Sequence, residues 1–257
     1  NRKSFYEGKA IRFHKKSEDR QEPFCKDFGT CGGCKWQILP YEKQLEVKAK
    51  SVQDHLQRLG GFRELQFEEI LGAPDDKFYR NKLEFTFTPT RWLTYDQIKS
   101  EGDFERRGVG FHIPGGFDKV LDIHHCSLQD EFSNDVRNAL RDYLLKHDLS
   151  CYNMREHYGL LRNLIIRSTS LGDKMVIVQF GEPQKENIEG VMAFLKAEFA
   201  EITSLLYIVN QKKNETIFDQ EVVTYNGNDF MMEDFEGVKF KIGPKSFFQT
   251  NTKQALE

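Results

Sequence analysis

The chain has no apolar run long enough to cross a bilayer, so nothing in it calls for a membrane partner. It has no surplus of either charge, with 37 Lys and Arg against 40 Asp and Glu for a net charge of −3. That excludes a polycation coating nucleic acid with its whole surface, and leaves a local basic patch as the route to such a partner. A glycine-rich strand–loop–helix cradle of the G-x-G type is also missing; the seat of any nucleotide-like cofactor is expected beyond Glu257. There is no repeat and no low-complexity tract. Tryptophan is scarce (two residues), but 22 phenylalanines in a chain that is 39% hydrophobic supply the bulk of a core. Cysteine is scarce too. The five are odd in number and bunched, which disfavours a secreted disulfide framework and points to a reducing cytoplasm.

What is present centres on three of those cysteines. Cys25, Cys31 and Cys34 fall within ten residues, and the last two bracket Gly32-Gly33. Disulfides do not need that spacing, whereas a metal centre does, because several thiolates must converge from one short loop. The two glycines let the backbone turn tightly and bring its N–H groups toward a negative centre. A fourth ligand has to come from far along the chain. Cys126 is the better candidate, because His124-His125-Cys126 ends an extended run; Cys151 follows a helix-like stretch and looks spare. All-sulfur coordination suits zinc or an iron–sulfur cluster. Uneven three-plus-one spacing favours the cluster over the paired knuckles usual for zinc. Four reduced structural thiols are the plain alternative. His124 or His125 could support Cys126 from behind.

Residues 1–20 carry seven Lys and Arg against three acids, and read as a basic arm or as a solvated terminus. Pro40 opens a helix whose apolar stripe, Tyr41, Leu45, Ala49, Val52, Leu56 and Leu59, ends at Gly60-Gly61. Such a stripe demands a cover. Leu65-Phe67-Glu69 is a short strand candidate, and Leu83 to Thr88 alternates more cleanly. Between them Phe78-Tyr79-Arg80-Asn81-Lys82 combines aromatics with cations at the mouth of a strand. That combination suits RNA, with Arg80 and Lys82 on phosphate, and equally suits core aromatics flanked by solvated charges. Thr94 to Lys99 reads as a short helix. Strands follow at Gly108 to Ile113 and Lys119 to Ile123 across Pro114-Gly115-Gly116. Next come a helix at Asp130 to His147, a hairpin of Leu160 to Ser168 with Met175 to Phe180, and a helix at Ile188 to Phe199. Strands at Leu205 to Val209, Ile217 to Tyr225, Asp229 to Met232 and Val238 to Ile242 complete the series. The fold class is α+β: a mainly antiparallel sheet with packed helices and a cysteine-ligated metal-cluster loop.

Two motifs carry a family resemblance. Cys25-x5-Cys31-Gly32-Gly33-Cys34-Lys35-Trp36-Gln37, with Cys126 before Ser127-Leu128-Gln129, is the more specific. Ser246-Phe247-Phe248-Gln249-Thr250-Asn251 is the second. Together, in order and across essentially the whole chain, they resemble the iron–sulfur type of RNA (uracil-5)-methyltransferase that acts on large-subunit ribosomal RNA. The resemblance implies a 4Fe–4S cluster on Cys25, Cys31, Cys34 and Cys126. It also implies S-adenosylmethionine as cofactor with Gln249 at its edge, and Phe247 lining the base pocket. A transfer-RNA target is disfavoured, because relatives of that kind generally lack the cluster cysteines.

The implied layout makes residues 1–20 the remnant of a β-barrel RNA-binding domain and 21–245 the central cluster-bearing domain. Residues 246–257 begin a methyltransferase domain, with Asn251 capping its first helix. Asn1 is not Met and the chain stops within a starting helix, so it is expected to be a fragment lacking the catalytic nucleophile and base. The expected partner is ribosomal RNA, and a monomer is expected. A zinc-binding RNA- or protein-interaction module outside any enzyme is the alternative reading.

Overall fold

The computed structural model describes Tyr6, Gly8 and residues 10–100 and 102–257. Arg2, Lys3 and Lys9 of the basic N-terminal run lie outside the described residues. The chain forms two compact units. One comprises residues 1–26 and 35–72, the other 27–34 and 73–257. The cysteine motif is therefore divided, and the segment expected as one domain, 21–245, contributes to both.

The smaller unit is built on α1 (Tyr41–Asp54), which continues into a π-helical turn, His55–Leu59, and stops at Gly60. Tyr41 and Leu45 of its stripe pack on Gly72, where a Cβ would come within 2.9 Å of Leu45. Further along the stripe Ala49 and Leu56 are half-buried, while Val52 is 53% and Leu59 82% exposed. No strand forms at residues 65–69. Leu65 is exposed, no neighbouring strand is there to take its backbone bonds, and a lone strand in water is not stable. Gln37 is buried in this unit, and its side-chain oxygen accepts the Cys25 N–H at 3.1 Å.

The larger unit is a seven-stranded sheet in the order β3-β2-β1-β4-β5-β6-β7. Its strands are β1 (Lys82–Thr88), β2 (Gly108–His112), β3 (Val120–Asp122), β4 (Leu161–Ser168), β5 (Lys174–Phe180), β6 (Ser204–Val209) and β7 (Val223–Gly227). The short helix α2 (Tyr95–Lys99) starts on a capping box between Thr94 and Gln97. Alternation along β1 sends Leu83, Phe85 and Phe87 into the main core, under α3 (Glu131–Lys146) and α4 (Lys185–Glu198). A second cluster of Ile165, Met175, Ile177, Leu206 and Ile208 fills the opposite face. The hairpin β8 (Met231–Phe235) and β9 (Val238–Ile242) stands apart from the sheet and covers that second cluster with Met231 and Ile242.

Two departures from the sequence reading have physical causes. β6 runs parallel to β5, because α4 carries the chain back across the sheet before β6 begins. The sheet is therefore antiparallel at every named pair except this one. The strand expected from Ile217 starts only at Val223. In the preceding loop the backbone carbonyls go to cations instead of a ladder. Arg162 takes those of Asn210, Lys212 and Asn214, and Lys245 takes those of Phe218 and Gln220. Among the described residues, no helix is long and apolar enough to cross a membrane.

Candidate functional site

Residues 78–82 form a corner where β1 begins. Phe78 N–H donates to Ser127 O at 2.7 Å and Arg80 N–H to Leu128 O at 2.8 Å, so the corner is laced to the residues just after Cys126. Asn81 reaches the other way. Its N–H donates to Thr250 O at 2.9 Å, and its side-chain amide donates to Gln249 O at 2.7 Å and Thr252 Oγ1 at 2.8 Å. Gln249 and Arg80 thus meet at one corner of the larger unit.

Within the 246–251 segment the side chains divide. Phe248 turns inward against Phe235 and Phe240, at ring separations of 5.4 and 6.4 Å. Phe247 is 86% exposed and Gln249 is exposed. Asn251 accepts the Gln254 N–H at 3.2 Å and caps α5 (Thr252–Leu256), as its sequence position implied. On β1, Lys82 lies 4.0 Å from Glu84, whose carboxyl is pushed up by burial against the pull of Lys82. Arg80 Nε donates to Lys82 O at 3.3 Å. Phe78 is half exposed with φ of +53°, a left-handed conformation unusual for an aromatic residue.

The thiols form a second locus. Cys31, Cys34 and Cys126 belong to the larger unit. Gly32 N–H donates to His112 O at 3.0 Å, and a Cβ there would stand 2.5 Å from that oxygen, so only glycine lets the loop seat on the end of β2. Gly33 N–H points at Cys31 Sγ, 3.4 Å away. Cys31 and Cys126 pack on the edge of the main core. Burial pushes the Cys126 thiol up to about 11; a backbone hydrogen bond at Leu128 and the Arg137 charge pull against it, while Cys34 and Cys31 add to it.

Helix α3 holds Cys126 in place. Asn134 Oδ1 accepts the Cys126 N–H at 2.8 Å, and Asn134 Nδ2 donates to Cys126 O at 3.2 Å. One turn on, Arg137 Nε donates to Ile123 O at 3.2 Å and Asn138 Nδ2 to His124 O at 2.9 Å. Arg141 lies 3.8 Å from Asp122. The row 134, 137/138, 141 lies on one helical face and grips residues 122–126. This polar row went unremarked in the sequence, where its i, i+3, i+4, i+7 spacing was the available signal. The two histidines engage carboxylates: His124 lies 3.8 Å from Asp122, and His125 3.0 Å from Glu131.

The donor set tests the fit of a metal. Free thiols, a backbone N–H aimed at sulfur and a buried unpartnered Arg137 Nη1 are of the chemical kind that suits an anionic sulfur centre. Among the described residues, however, no three His, Cys, Asp or Glu side chains are drawn close enough to ligate one ion. The chemistry of the donors fits, and their placement is looser than a ligated set. Cys151 is a different case. It is 2% exposed, and burial pushes its thiol up to about 12, which works against a nucleophilic thiolate.

No family model matches the chain. It is 49% identical over 98% of its length to an uncharacterized RNA methyltransferase of Bacteroides thetaiotaomicron, covering 56% of that protein. It is 44% identical over its full length to one of Porphyromonas gingivalis, again covering 56%. The chain thus spans about half the length of the curated relatives it matches. The crystal structure of Pyrococcus abyssi tRNA (uracil-54, C5)-methyltransferase in complex with S-adenosyl-L-homocysteine superposes with a TM-score of 0.67 at 25% identity, over 95% of this chain and 51% of that one. By sequence and by fold, the chain is similar to about half the length of these RNA methyltransferases.

Proposed function

We propose that the chain is the RNA-recognition and cofactor-edge part of an S-adenosylmethionine-dependent enzyme that methylates carbon 5 of a uridine in large-subunit ribosomal RNA. The observation that carries this reading is the Asn81 anchor. It holds the segment bearing exposed Phe247 and Gln249 against the basic corner of Arg80 and Lys82. The names of the relatives support the reaction class, and the S-adenosyl-L-homocysteine complex of the structural neighbour supports the cofactor. They also disfavour a zinc module outside any enzyme.

Carbon 5 of uracil is a weak nucleophile. A thiolate added at carbon 6 makes it an enolate able to take a methyl group; a base then removes the carbon-5 proton and the thiolate is expelled from carbon 6, restoring the ring double bond. S-adenosylmethionine, when bound, supplies the electrophilic methyl group. None of this chain's cysteines suits the thiolate role: four are assigned to a metal below, and Cys151 is buried and protonated. Gln249 would touch the cofactor and Phe247 the extruded base, while Arg80 and Lys82 hold phosphate.

The same reading gives Cys25, Cys31, Cys34 and Cys126 a 4Fe–4S cluster. The Gly33 N–H on Cys31 and the spacing of the cysteines in the sequence support it. A bound cluster pins the loop covalently, and methyl transfer from a sulfonium needs no electron. A cytoplasmic monomer completes the proposal.

The test is radiolabelled methyl transfer by the full-length protein to a ribosomal RNA fragment and to a transfer RNA, with Gln249→Ala and Phe247→Ala alongside. Label on carbon 5 of a ribosomal uridine, lost in both variants, is expected. Label on transfer RNA alone would overturn the substrate. Iron and sulfide are expected in protein purified without air, and a colourless zinc protein would sink the cluster.

A further inference from the structure

The turn between β2 and β3 is closed by its own backbone: Ile113 N–H donates to Lys119 O at 2.9 Å, and Gly116 N–H to Ile113 O at 3.2 Å. It carries Phe117, 65% exposed. A lone exposed aromatic is ordinary, but this one has a cation fixed over it. Arg155 comes from a second turn, in which Asn153 Oδ1 accepts the N–H groups of Arg155 at 2.9 Å and Glu156 at 3.3 Å. The Arg155 guanidinium lies 5.7 Å from the centre of the Phe117 ring, and its Nε donates to the Asp118 carboxylate. Lys119 Nζ stands 3.7 Å from the same carboxylate.

Beside this pair lies a cleft of about 200 Å³, whose walls include Thr88, Thr90, Tyr152, Asp118, Lys119 and Arg155. Its two cations outnumber its one carboxylate, so the cleft is positive. With Nε engaged, Arg155 still presents Nη1 and Nη2, which make no hydrogen bond among the described residues, as a planar fork for a phosphate. The bond to Asp118 fixes the side chain beforehand, so less rotamer freedom is lost when a ligand arrives. β1 begins beside Arg80 at Lys82 and ends at Thr88 in the wall of the cleft. At about 3.4 Å per residue these ends are about 20 Å apart, so the cleft and the Gln249 corner serve different nucleotides.

We propose that Phe117, Arg155 and Lys119 form a second contact for the RNA substrate, which takes an unpaired nucleotide away from the one that is methylated. Its base stacks on Phe117, and its phosphate meets the Arg155 fork and Lys119. The inference rests on the reading that the chain recognises RNA. Every base has a face that can stack on an aromatic ring, whereas a duplex keeps those faces within its own stack and offers phosphate alone. The site therefore reads strandedness instead of sequence, and selects a loop over a helix.

The experiment is fluorescence anisotropy of the full-length protein with a labelled oligouridine and with a duplex RNA, each over a range of salt concentrations. Phe117→Ala and Phe117→Leu should both weaken oligouridine binding about tenfold, since leucine keeps bulk but has no stacking face, and should change duplex binding by less than about twofold. Arg155→Ala and Lys119→Ala should each reduce the slope of log affinity against log salt by about 0.7, and Arg155→Lys should keep it. Melting temperatures should stay close to wild type, because exposed ion pairs contribute little. An Arg155→Ala protein that melts well below wild type with its salt slope unchanged would show that the arginine only ties two turns together, and overturns the proposal. Equal weakening on both RNAs in Phe117→Leu overturns it too. If Arg155→Ala does not fold, Phe117→Leu and Lys119→Ala decide. Wild type that binds oligouridine, with Phe117→Leu and Lys119→Ala binding it equally well, sinks this site alone. Wild type that binds neither RNA sinks the RNA reading and this site together.

Discussion

Asn81→Ala removes the side chain that fastens the Gln249 segment to the start of β1. Two hydrogen bonds are lost, to Gln249 O at 2.7 Å and Thr252 Oγ1 at 2.8 Å, while the backbone bond from Asn81 N–H to Thr250 O survives. A hydrogen bond contributes about 0.5–1.5 kcal/mol net, and the bond to Gln249 is open to water, so the pair together should be worth about 1–2 kcal/mol. Little of this need appear as global unfolding, because α5 and the segment before it can detach while the sheet stays folded. The loss should be local. Amide exchange at residues 249–256 should accelerate by roughly tenfold, since about 1.4 kcal/mol is a factor of ten, with β4 and β5 unchanged.

In the full-length protein the same change should weaken cofactor binding, because residue 81 would hold the Gln249 segment by one hydrogen bond instead of three. Asn81→Asp sharpens the test. A carboxylate cannot donate to Gln249 O and can only accept from the Thr252 hydroxyl, so it should still speed exchange at 249–256 even though its size matches asparagine. Exchange at 249–256 indistinguishable from wild type in both variants would refute the reasoning, and with it the idea that this corner positions Gln249.

Cys151 should resist alkylation in the native protein at mildly alkaline pH and react only on unfolding, since burial pushes its thiol up to about 12; rapid native labelling of Cys151, read by peptide mass, would contradict that. Arg162→Met strips three carbonyls of their donor, at 2.9, 2.6 and 2.7 Å, and should cost about 2–4 kcal/mol with the damage centred on the 210–216 loop. A shift of the urea midpoint worth less than about 1 kcal/mol would show that water replaces the guanidinium there. Glu105 accepts two bonds from Arg107 at 3.0 Å, and these hydrogen bonds hold its carboxyl down to about 2. A depressed carboxylate stabilises the fold above its unfolded pKa and ceases to do so as pH falls toward 2. Glu105→Gln should therefore melt slightly below wild type at neutral pH and converge with it near pH 2, the difference staying small because the pair is partly solvated. A gap that is constant with pH would exclude the linkage.

Much of the fold was legible because its signals are local. Alternation marked β1, Pro114-Gly115-Gly116 marked the β2–β3 turn, and the stripe of α1 with Gly60-Gly61 set both ends of that helix. What was missed depended on partners distant in sequence. Leu65 and Phe67 alternate like a strand but find no neighbour to pair with. Nothing local says that Ile217 to Val222 will surrender its ladder because Arg162 and Lys245 claim carbonyls nearby. Parallel pairing of β6 depends on where α4 delivers the chain, which β-propensity does not encode. At the site, the cysteines and the Phe247–Asn251 motif stood out by type and spacing. Asn81 and Arg137 did not, since an asparagine before a strand and an arginine in a helix are ordinary until their contacts are known.

Those contacts bear on how the two loci work together. The Phe78 and Arg80 N–H groups bond to Ser127 and Leu128, directly after Cys126, and the Asn81 N–H bonds to Thr250. A four-residue span of backbone therefore joins the sulfur locus to the segment that carries Gln249. Because it is a run of main-chain bonds, one end cannot move by much without stretching the other. The Phe78 backbone at φ +53° is the strained link in that span. If the proposed centre fixes Cys126, it needs no redox role to matter for the proposed cofactor edge at this corner; it would act as a rivet, and its loss should loosen Gln249 before it unfolds the sheet. Phe78→Gly, which relieves the left-handed strain without touching either locus, separates the two accounts. If strain is part of the coupling, exchange at 249–256 should become insensitive to metal removal. If the bonds alone carry it, metal removal should still accelerate exchange there as in wild type.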